Sequence, residues 1–360
     1  MGRLIFSEDD YSTAKRDYGV SDRHVTRQAE ERARNTGRLN EIVDPAVNPL
    51  RRSLVRMDAR GDRWEVTVGC PMDIEASCDT TASMGGEVDR TMAVLPEVYA
   101  KIAGVLPGYD PQLCLGIFGD CGDPFVLCRP QFEMEAGKIV NYLTKMAPQR
   151  GGCGNHGEDP QYAMFARAYL TDAYTNRIGL KGYHFISTDE PCHRQISKSQ
   201  LKRIFGDEIF ENELADMKNK LPNIEQVVAD LKAKTHCFAL ILRDVSYPAE
   251  TVPSWRELYG KKSVIIIDSM DSYPAVVSAI IGLTEGTLDV VDLHKHLGEY
   301  ATADLVTQLS NIEIGAQAKL RHNLPHAVPK AGDIFASKGD LWPIEGETAD
   351  EEPVDEVRYL

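Results

Sequence analysis

Residues 72–86 have the sequence MDIEASCDTTASMGG, which joins a strand-like run to the start of a helix. Apolar and polar side chains alternate along its first seven residues, as they do in a strand with two different faces. Asp79, Thr81 and Ser83 follow where that strand should end, two glycines form a turn, and a helical pattern begins near Glu87. One carboxylate and two hydroxyls therefore converge at a strand end, an all-oxygen set of ligands that suits a hard divalent cation such as Mg²⁺.

Strand-like and helical patterns alternate downstream of this stretch. The strand-like runs are Met72–Cys78, Gln112–Phe118, Phe125–Cys128, Tyr183–Ser187, His236–Leu242 and Val264–Ile267. The helical runs are Glu87–Val105, Gln131–Met146, Asp159–Asn176, Ser197–Phe205, Ile224–Lys234 and Ala275–Leu283. The second and third strands are too close in sequence for a helix between them, so we expect an antiparallel hairpin there and parallel, right-handed crossovers elsewhere. The pattern predicts an α/β fold with a doubly wound, mostly parallel six-stranded sheet and helices on both faces.

Composition and charge exclude several classes of protein. The chain has 360 residues, of which 42% are hydrophobic, so it can bury a large core. Its net charge of −15 repels phosphate backbones and argues against general nucleic-acid binding. No stretch approaches the roughly 18 apolar residues of a membrane span, and the first residues lack the apolar core of a secretory signal.

The eight cysteines are scattered and form no CxxC pair. This spacing fits neither a disulfide framework nor a structural zinc site. It predicts a protein of the reducing cytoplasm.

The composition changes along the chain and predicts four regions. Residues 1–69 are a polar N-terminal extension that packs on the body, 70–286 form the α/β domain, 287–311 a helical extension, and 312–360 an extended or disordered acidic tail. The last sixteen residues, 345–360, hold seven acidic residues and one arginine, a net charge of about −6.

The central strand carries charge on one face, because Asp73 and Glu75 alternate with apolar residues. Such alternation implies that one face of the strand either contacts solvent or pairs its carboxylates with positive charges. We hypothesise that arginines of the N-terminal extension cover this face and pair with the carboxylates: Arg51, Arg52, Arg56 or Arg63.

Two further loops are predicted to lie near Asp79. The strand-like run at residues 183–187 finishes in Thr188 and Asp189, and residues 151–160, GGCGNHGEDP, precede a long helical run. Ligands of open α/β sheets lie beyond the carboxyl ends of the strands. We therefore expect these loops to meet at one edge of the sheet.

On these residues, roughly positions 70–285 resemble the von Willebrand factor A domain family. The pattern Asp79-x-Thr81-x-Ser83 is similar to the first loop of that family's metal-ion-dependent adhesion site, and Asp189 is similar to the acidic residue of the third loop. The resemblance implies a sheet with the strand order 3-2-1-4-5-6. It also implies a bound Mg²⁺ or Mn²⁺ that is one ligand short, so that an acidic residue of a partner protein completes the coordination.

The second loop departs from the family pattern. The family often has Gly-Gly-Thr or Gly-Gly-x-Asp there, whereas this chain has Cys153 where the threonine would stand. Asn155, His156 or Glu158 are the alternatives for that ligand, and we include Asn155 and Glu158 in the predicted metal set.

The resemblance implies a metal-dependent protein-binding adaptor in a cytosolic assembly, with an AAA-type ATPase as the partner suggested by bacterial relatives. We expect no enzyme, because no general base or nucleophile is well placed. The alternative is a Mg²⁺-dependent phosphatase of the haloacid dehalogenase type, which needs a second aspartate where this chain has Thr81. Two simpler interpretations remain: Thr81 and Ser83 cap a helix, or the fold serves a structural role without metal.

Overall fold

The computed structural model describes residues 8–17, 25–55, 57–67, 69–152, 154, 157–243, 248–322, 332–336 and 358–359. The strands are β1 Arg51–Arg52, β2 Leu54–Val55, β3 Met57–Arg60, β4 Arg63–Val66, β5 Pro71–Asp79, β6 Asp110–Phe118, β7 Leu127–Cys128, β8 Thr171–Asp172, β9 Gly182–Thr188, β10 Thr235–Leu242, β11 Val264–Ile267, β12 Ile334–Phe335 and β13 Arg358–Tyr359. The α-helices are α1 Glu8–Asp17, α2 Arg27–Thr36, α3 Glu87–Val94, α4 Glu97–Ala103, α5 Ala136–Leu143, α6 Gln161–Tyr169, α7 Tyr174–Arg177, α8 Lys198–Phe205, α9 Ile224–Lys234, α10 Pro248–Tyr259, α11 Tyr273–Glu285, α12 Leu293–Leu297, α13 Ala303–Leu309 and α14 Ala316–His322.

The main sheet has six strands in the order β7-β6-β5-β9-β10-β11. All neighbours are parallel except β6 and β7, which form the predicted antiparallel hairpin. Numbered along the chain, these strands have the order 3-2-1-4-5-6, as the sequence resemblance implied. The strand β5 lies between β6 and β9, so its carboxyl end is at the point where the strand order reverses.

Helices cover both faces of this sheet, which confirms the predicted doubly wound α/β class. One apolar cluster contains Ile74 of β5 and the buried side chains of α4 and α11. A second cluster contains Ile186 of β9 and the buried side chains of α6 and α9. In the part of the chain that is described, no helix has the length and apolar character that a membrane span requires.

Several predicted segments differ from the structure. The helix expected over residues 131–146 is the shorter α5, Ala136–Leu143. The helix expected over residues 87–105 is two helices, α3 and α4, because Pro96 begins the second one and cannot continue the first. The helix expected over residues 159–176 ends at Tyr169, and the next residues form β8, which pairs with β1 of the N-terminal region. Within the expected extended arm, α14 is a helix, and its fully buried Gln317 donates a hydrogen bond to the carbonyl of Lys181 at 2.7 Å.

The predicted charged face of β5 is entirely buried. Glu75 accepts two hydrogen bonds from Arg129, at 2.7 Å and 2.9 Å, and neither side chain has exposed surface. A second buried arginine, Arg167 of α6, lies 3.9 Å from the Glu75 carboxylate and over the ring of Phe132. The hypothesis that extension arginines pair with Glu75 was therefore wrong for Arg51, Arg52 and Arg63, because Arg129, directly after β7, takes that place. Arg56 lies outside the described residues.

The N-terminal region still contributes to this buried face. The Ser53 hydroxyl donates a hydrogen bond to the Asp73 carboxylate, which also accepts from the Thr175 hydroxyl at 2.7 Å. Buried Arg51 donates from its Nε atom to the carbonyl of Pro130 at 2.9 Å. The extension thus supplies a hydroxyl to one carboxylate and supports the chain next to Arg129.

Replacing Arg129 with leucine should lower the free energy of unfolding by about 3–5 kcal/mol, because it leaves the Glu75 carboxylate buried without its partner. Denaturant unfolding measures this loss. Arg60→Ala is the control, since Arg60 pairs with Glu65 at 3.1 Å on the surface and should cost less than about 1 kcal/mol. Equal effects of the two substitutions would contradict the importance of the buried pair.

Candidate metal centre

The first loop folds around the carboxylate of Asp79, the last residue of β5. The backbone N–H and the hydroxyl of Thr81 both donate to Asp79 Oδ1, at 2.9 Å and 2.7 Å. The hydroxyls of Thr81 and Ser83 lie 3.1 Å apart. Gly85, with a φ of 50°, makes the turn towards α3, a conformation that glycine adopts without the steric cost of a Cβ atom.

The third loop meets the first at the carboxyl edge of the sheet. The Thr188 hydroxyl donates to Asp79 Oδ2 at 2.7 Å, and the Ser83 hydroxyl donates to Asp189 Oδ1 at 2.9 Å. The structure therefore brings together Asp79, Thr81, Ser83 and Asp189, although ligation of a cation by these residues stays a prediction. Ser83 is exposed whereas the two aspartates are buried, so the cluster opens to solvent on the Ser83 side.

The second loop contributes Glu158, whereas the predicted ligand Asn155 lies outside the described residues, as does His156. The Glu158 backbone N–H donates to the carbonyl of Pro191 at 2.9 Å, which holds the second loop against the third. The Glu158 side chain is 4% exposed, and its Oε2 atom has no hydrogen-bond partner among the residues that the structure describes. A buried, ionised carboxylate oxygen without a donor is costly, and a bound proton removes that cost, which agrees with the raised pKa of Glu158.

The electrostatics of the cluster favour a positive charge. Burial, together with the nearby Asp189 carboxylate, raises the pKa of Asp79 to about 7. Burial raises the pKa of Asp189 to about 6. Burial and the charge of Asp79 raise the pKa of Glu158 to about 10. In the described ranges, no arginine pairs with these carboxylates as Arg129 pairs with Glu75, so bound protons or a cation must compensate their charge.

The kind of donor atom limits which ion would fit. Among the described residues, no group of three or more histidine, cysteine, aspartate or glutamate side chains is arranged to hold a metal ion. Glu158 therefore does not form such a group with Asp79 and Asp189. A cation here would depend on the two aspartates, the Thr81 and Ser83 hydroxyls, and water. Mg²⁺ and Mn²⁺ accept such oxygen ligands, and Mg²⁺ retains several waters, whereas structural zinc sites use thiolate and imidazole ligands.

The helix-cap interpretation of the first loop does not agree with the structure. Thr81 precedes the 3-10 helix Ala82–Met84 but makes no side-chain cap hydrogen bond there, and Gly86 precedes α3. The two hydroxyls instead point towards Asp79 and Asp189. Their geometry is that of a polar cluster at a strand end.

The sequence analysis assigned no role to several residues that support the cluster, although Thr188 was identified in the third loop. The Thr188 hydroxyl binds Asp79 directly, and its position next to Asp189 was the available signal. Glu190 accepts a hydrogen bond from the backbone N–H of Gly157 at 2.8 Å, and its carbonyl accepts from the Trp255 indole at 3.0 Å. These two hydrogen bonds hold the third loop against the second loop and against α10. No local sequence pattern indicates this role of Glu190 and Trp255.

No protein-family model matches the chain, and a search of curated proteins finds no match. Among solved structures, proximal thread matrix protein 1 from the mussel byssus is 14% identical, with 60% of this chain and 46% of that chain covered and a TM-score of 0.38. The same mussel protein with a zinc-occupied metal-ion-dependent adhesion site is 12% identical, with coverage of 61% and 46% and a TM-score of 0.39. The pilus adhesin SpaC from Lactobacillus rhamnosus GG is 12% identical, with coverage of 68% and 34% and a TM-score of 0.37. The chain spans less than half the length of each, and TM-scores below 0.5 carry no argument about its function.

Without a cation, the free energy of unfolding should fall as pH rises from about 4 to about 7. The folded state holds a proton on Asp79 with a pKa of about 7, whereas the unfolded state releases it near 3.8, so the folded state binds more protons in this window. Urea unfolding in chelator at several pH values measures the slope. Asp79→Asn should flatten it, because asparagine does not titrate, and an unchanged slope would contradict the raised pKa.

Proposed function

We propose that this protein is a divalent-cation-dependent protein-binding module of the von Willebrand factor A type. The observation that carries the proposal is the 2.9 Å contact between Ser83 Oγ and Asp189 Oδ1. These residues are 106 positions apart in the sequence, and their meeting joins the first loop to the third at one site. The strand order 3-2-1-4-5-6 supports the same assignment, because it puts both loops at the switch point of the sheet.

The chemistry of the cluster supports binding of Mg²⁺ or Mn²⁺ and recognition of an acidic partner. Asp79 and Asp189 would supply two negative charges, and Thr81 and Ser83 neutral oxygens, so positions of the cation would remain for water or for an exchangeable carboxylate. The exposure of Ser83 gives such a carboxylate access from solvent. When bound, the cation would act as the electrostatic anchor for an aspartate or glutamate of the partner protein.

We propose a cytoplasmic location and a multiprotein assembly as the setting. The seven cysteines that the structure describes are all free, which suits a reducing compartment. An AAA-type ATPase is the partner that the family resemblance suggests, and this part of the proposal rests on analogy alone.

The phosphatase alternative is less favoured by the geometry. It requires a second carboxylate two residues after Asp79 that acts on the substrate, and Thr81 occupies that position with its hydroxyl bound to Asp79. Its test is Mg²⁺-dependent hydrolysis of a generic phosphate ester. Turnover that disappears in Asp79→Ala would favour the phosphatase over the binding module.

Asp79→Ala should weaken Mg²⁺ and Mn²⁺ binding at least about tenfold, because a directly coordinating carboxylate supplies much of the charge that these hard cations require. Isothermal titration calorimetry on the full chain measures the affinity. Asp172→Ala is the matched control, since Asp172 pairs with Arg177 at 2.6 Å in β8, away from the three loops. Equal affinity of wild type and Asp79→Ala would remove the metal site.

Partner capture should require the cation. A pull-down with the full chain in Mg²⁺ should recover a partner that is lost when EDTA is added and when Asp189→Ala replaces the wild type. The physical reason is that the partner carboxylate would bind the cation rather than the surrounding acidic surface. Capture that is equal in EDTA and Mg²⁺ would instead support a structural role without metal.

A further inference from the structure

Arg150 has an unusual backbone conformation beside the candidate metal centre. Its φ is 51°, and it is the sole non-glycine residue with a positive φ in the described part of the chain. A side chain in this left-handed region meets steric repulsion from its own Cβ atom. Strained residues persist where surrounding contacts hold them, and they concentrate at functional sites.

The strained residue joins the second loop to the first through the backbone. The Arg150 N–H donates to the carbonyl of Thr80 at 2.8 Å, and the next carbonyl, that of Gly151, accepts from the N–H of Ala82 at 2.6 Å. Thr80 and Ala82 alternate with the residues that present their side chains to the cluster. Both hydrogen bonds therefore hold the backbone of the first loop against the second loop. The left-handed conformation of Arg150 lets its own N–H and the carbonyl of Gly151 make these bonds together.

The Arg150 side chain forms ion pairs with residues of two helices, α2 and α3. Its guanidinium donates to both carboxylate oxygens of Glu30 in α2, at 3.1 Å and 3.3 Å, and to Asp89 in α3 at 2.6 Å. The Glu30 side chain is largely buried, with 14% exposure, so this is a better-shielded pair than most surface ion pairs. These contacts offset the cost of the left-handed backbone.

We propose that Arg150 is a positioning residue of the metal centre, whose anchored side chain keeps its backbone in the left-handed conformation that joins the second loop to the first. The effect of Arg150 on cation affinity rests on the proposed function, whereas its effect on the two loop hydrogen bonds does not. Arg150 touches neither the cation position nor the partner in this proposal. It acts through the backbone atoms of Thr80 and Ala82.

Two substitutions at this position separate the backbone from the side chain. Arg150→Ala removes the anchor but keeps the Cβ repulsion, so the loop should relax and Mn²⁺ affinity should fall about tenfold. Arg150→Gly also removes the anchor, yet glycine adopts a positive φ freely, so affinity should stay within about twofold of wild type. Calorimetric titration of the full chain with Mn²⁺ measures both, and Arg177→Ala, which breaks the bidentate pair with Asp172, is the control that should change nothing.

Hydrogen exchange in cation-free buffer tests the same proposal without the metal. The amides of Ala82 and Arg150, or of the residue that replaces it, should exchange faster in Arg150→Ala and near the wild-type rate in Arg150→Gly, because these amides donate the two joining hydrogen bonds. Equal losses in both variants, or no change in either, would overturn the role of the backbone. If wild type and Asp79→Ala both fail to bind Mn²⁺, the proposed function is lost, and the exchange rates alone decide whether Arg150 joins the loops.

Discussion

The ion pair between Glu75 and Arg129 has no exposed surface and lies in the middle of the six-stranded sheet. Burying two charges is costly unless they pair with each other. The pair therefore favours one register of β5, the register in which Glu75 meets Arg129 directly after β7. A slip of one residue would move Glu75 to the opposite, apolar face of the sheet. Since side chains alternate along a strand, the register that pairs Glu75 also places Asp79 on the same face, at the edge where the loops meet.

The carboxylates of β5 show how one strand serves two purposes. Burial by itself would raise the pKa of Glu75, but the charge and hydrogen bonds of Arg129 lower it, so this carboxylate is ionised and structural. Asp79 pairs with no arginine of the described segments, accepts hydroxyl and amide hydrogens, and has a pKa raised by burial and by Asp189. Arg129 neutralises the charge of Glu75, whereas no cationic side chain of the described residues neutralises Asp79. That contrast separates a fold-stabilising carboxylate from a candidate metal ligand.

The sequence predicted the elements whose formation depends on the periodicity of neighbouring residues. The alternation before Asp79 indicated β5, and the turn after it indicated α3, because strand and helix periodicities differ. The meeting of Asp79 and Asp189 followed from the rule that parallel strands end at a common edge. The partner of Glu75 could not be predicted in the same way, since Arg129 is 54 residues away and many arginines were equally available. The left-handed backbone of Arg150 was also hidden, because arginine carries no local preference for it.

The N-terminal region contacts the central strand near its amino end and Arg150, beside the candidate metal centre, near its carboxyl end. Ser53 donates to Asp73 near the amino end of β5, while Glu30 holds Arg150 beside the loops at its carboxyl end. The N-terminal region therefore does more than cover the sheet. Loss of the Ser53 contact would remove a hydrogen-bond donor from Asp73, and loss of the Glu30 contact would remove an anchor of the Arg150 side chain. Contacts thus connect residues 25–55 to Asp79 along two separate paths, one through Asp73 of β5 and one through Arg150 and its backbone hydrogen bond to Thr80. The folding of the extension and the shape of the loop edge are therefore physically coupled through Ser53 and Glu30.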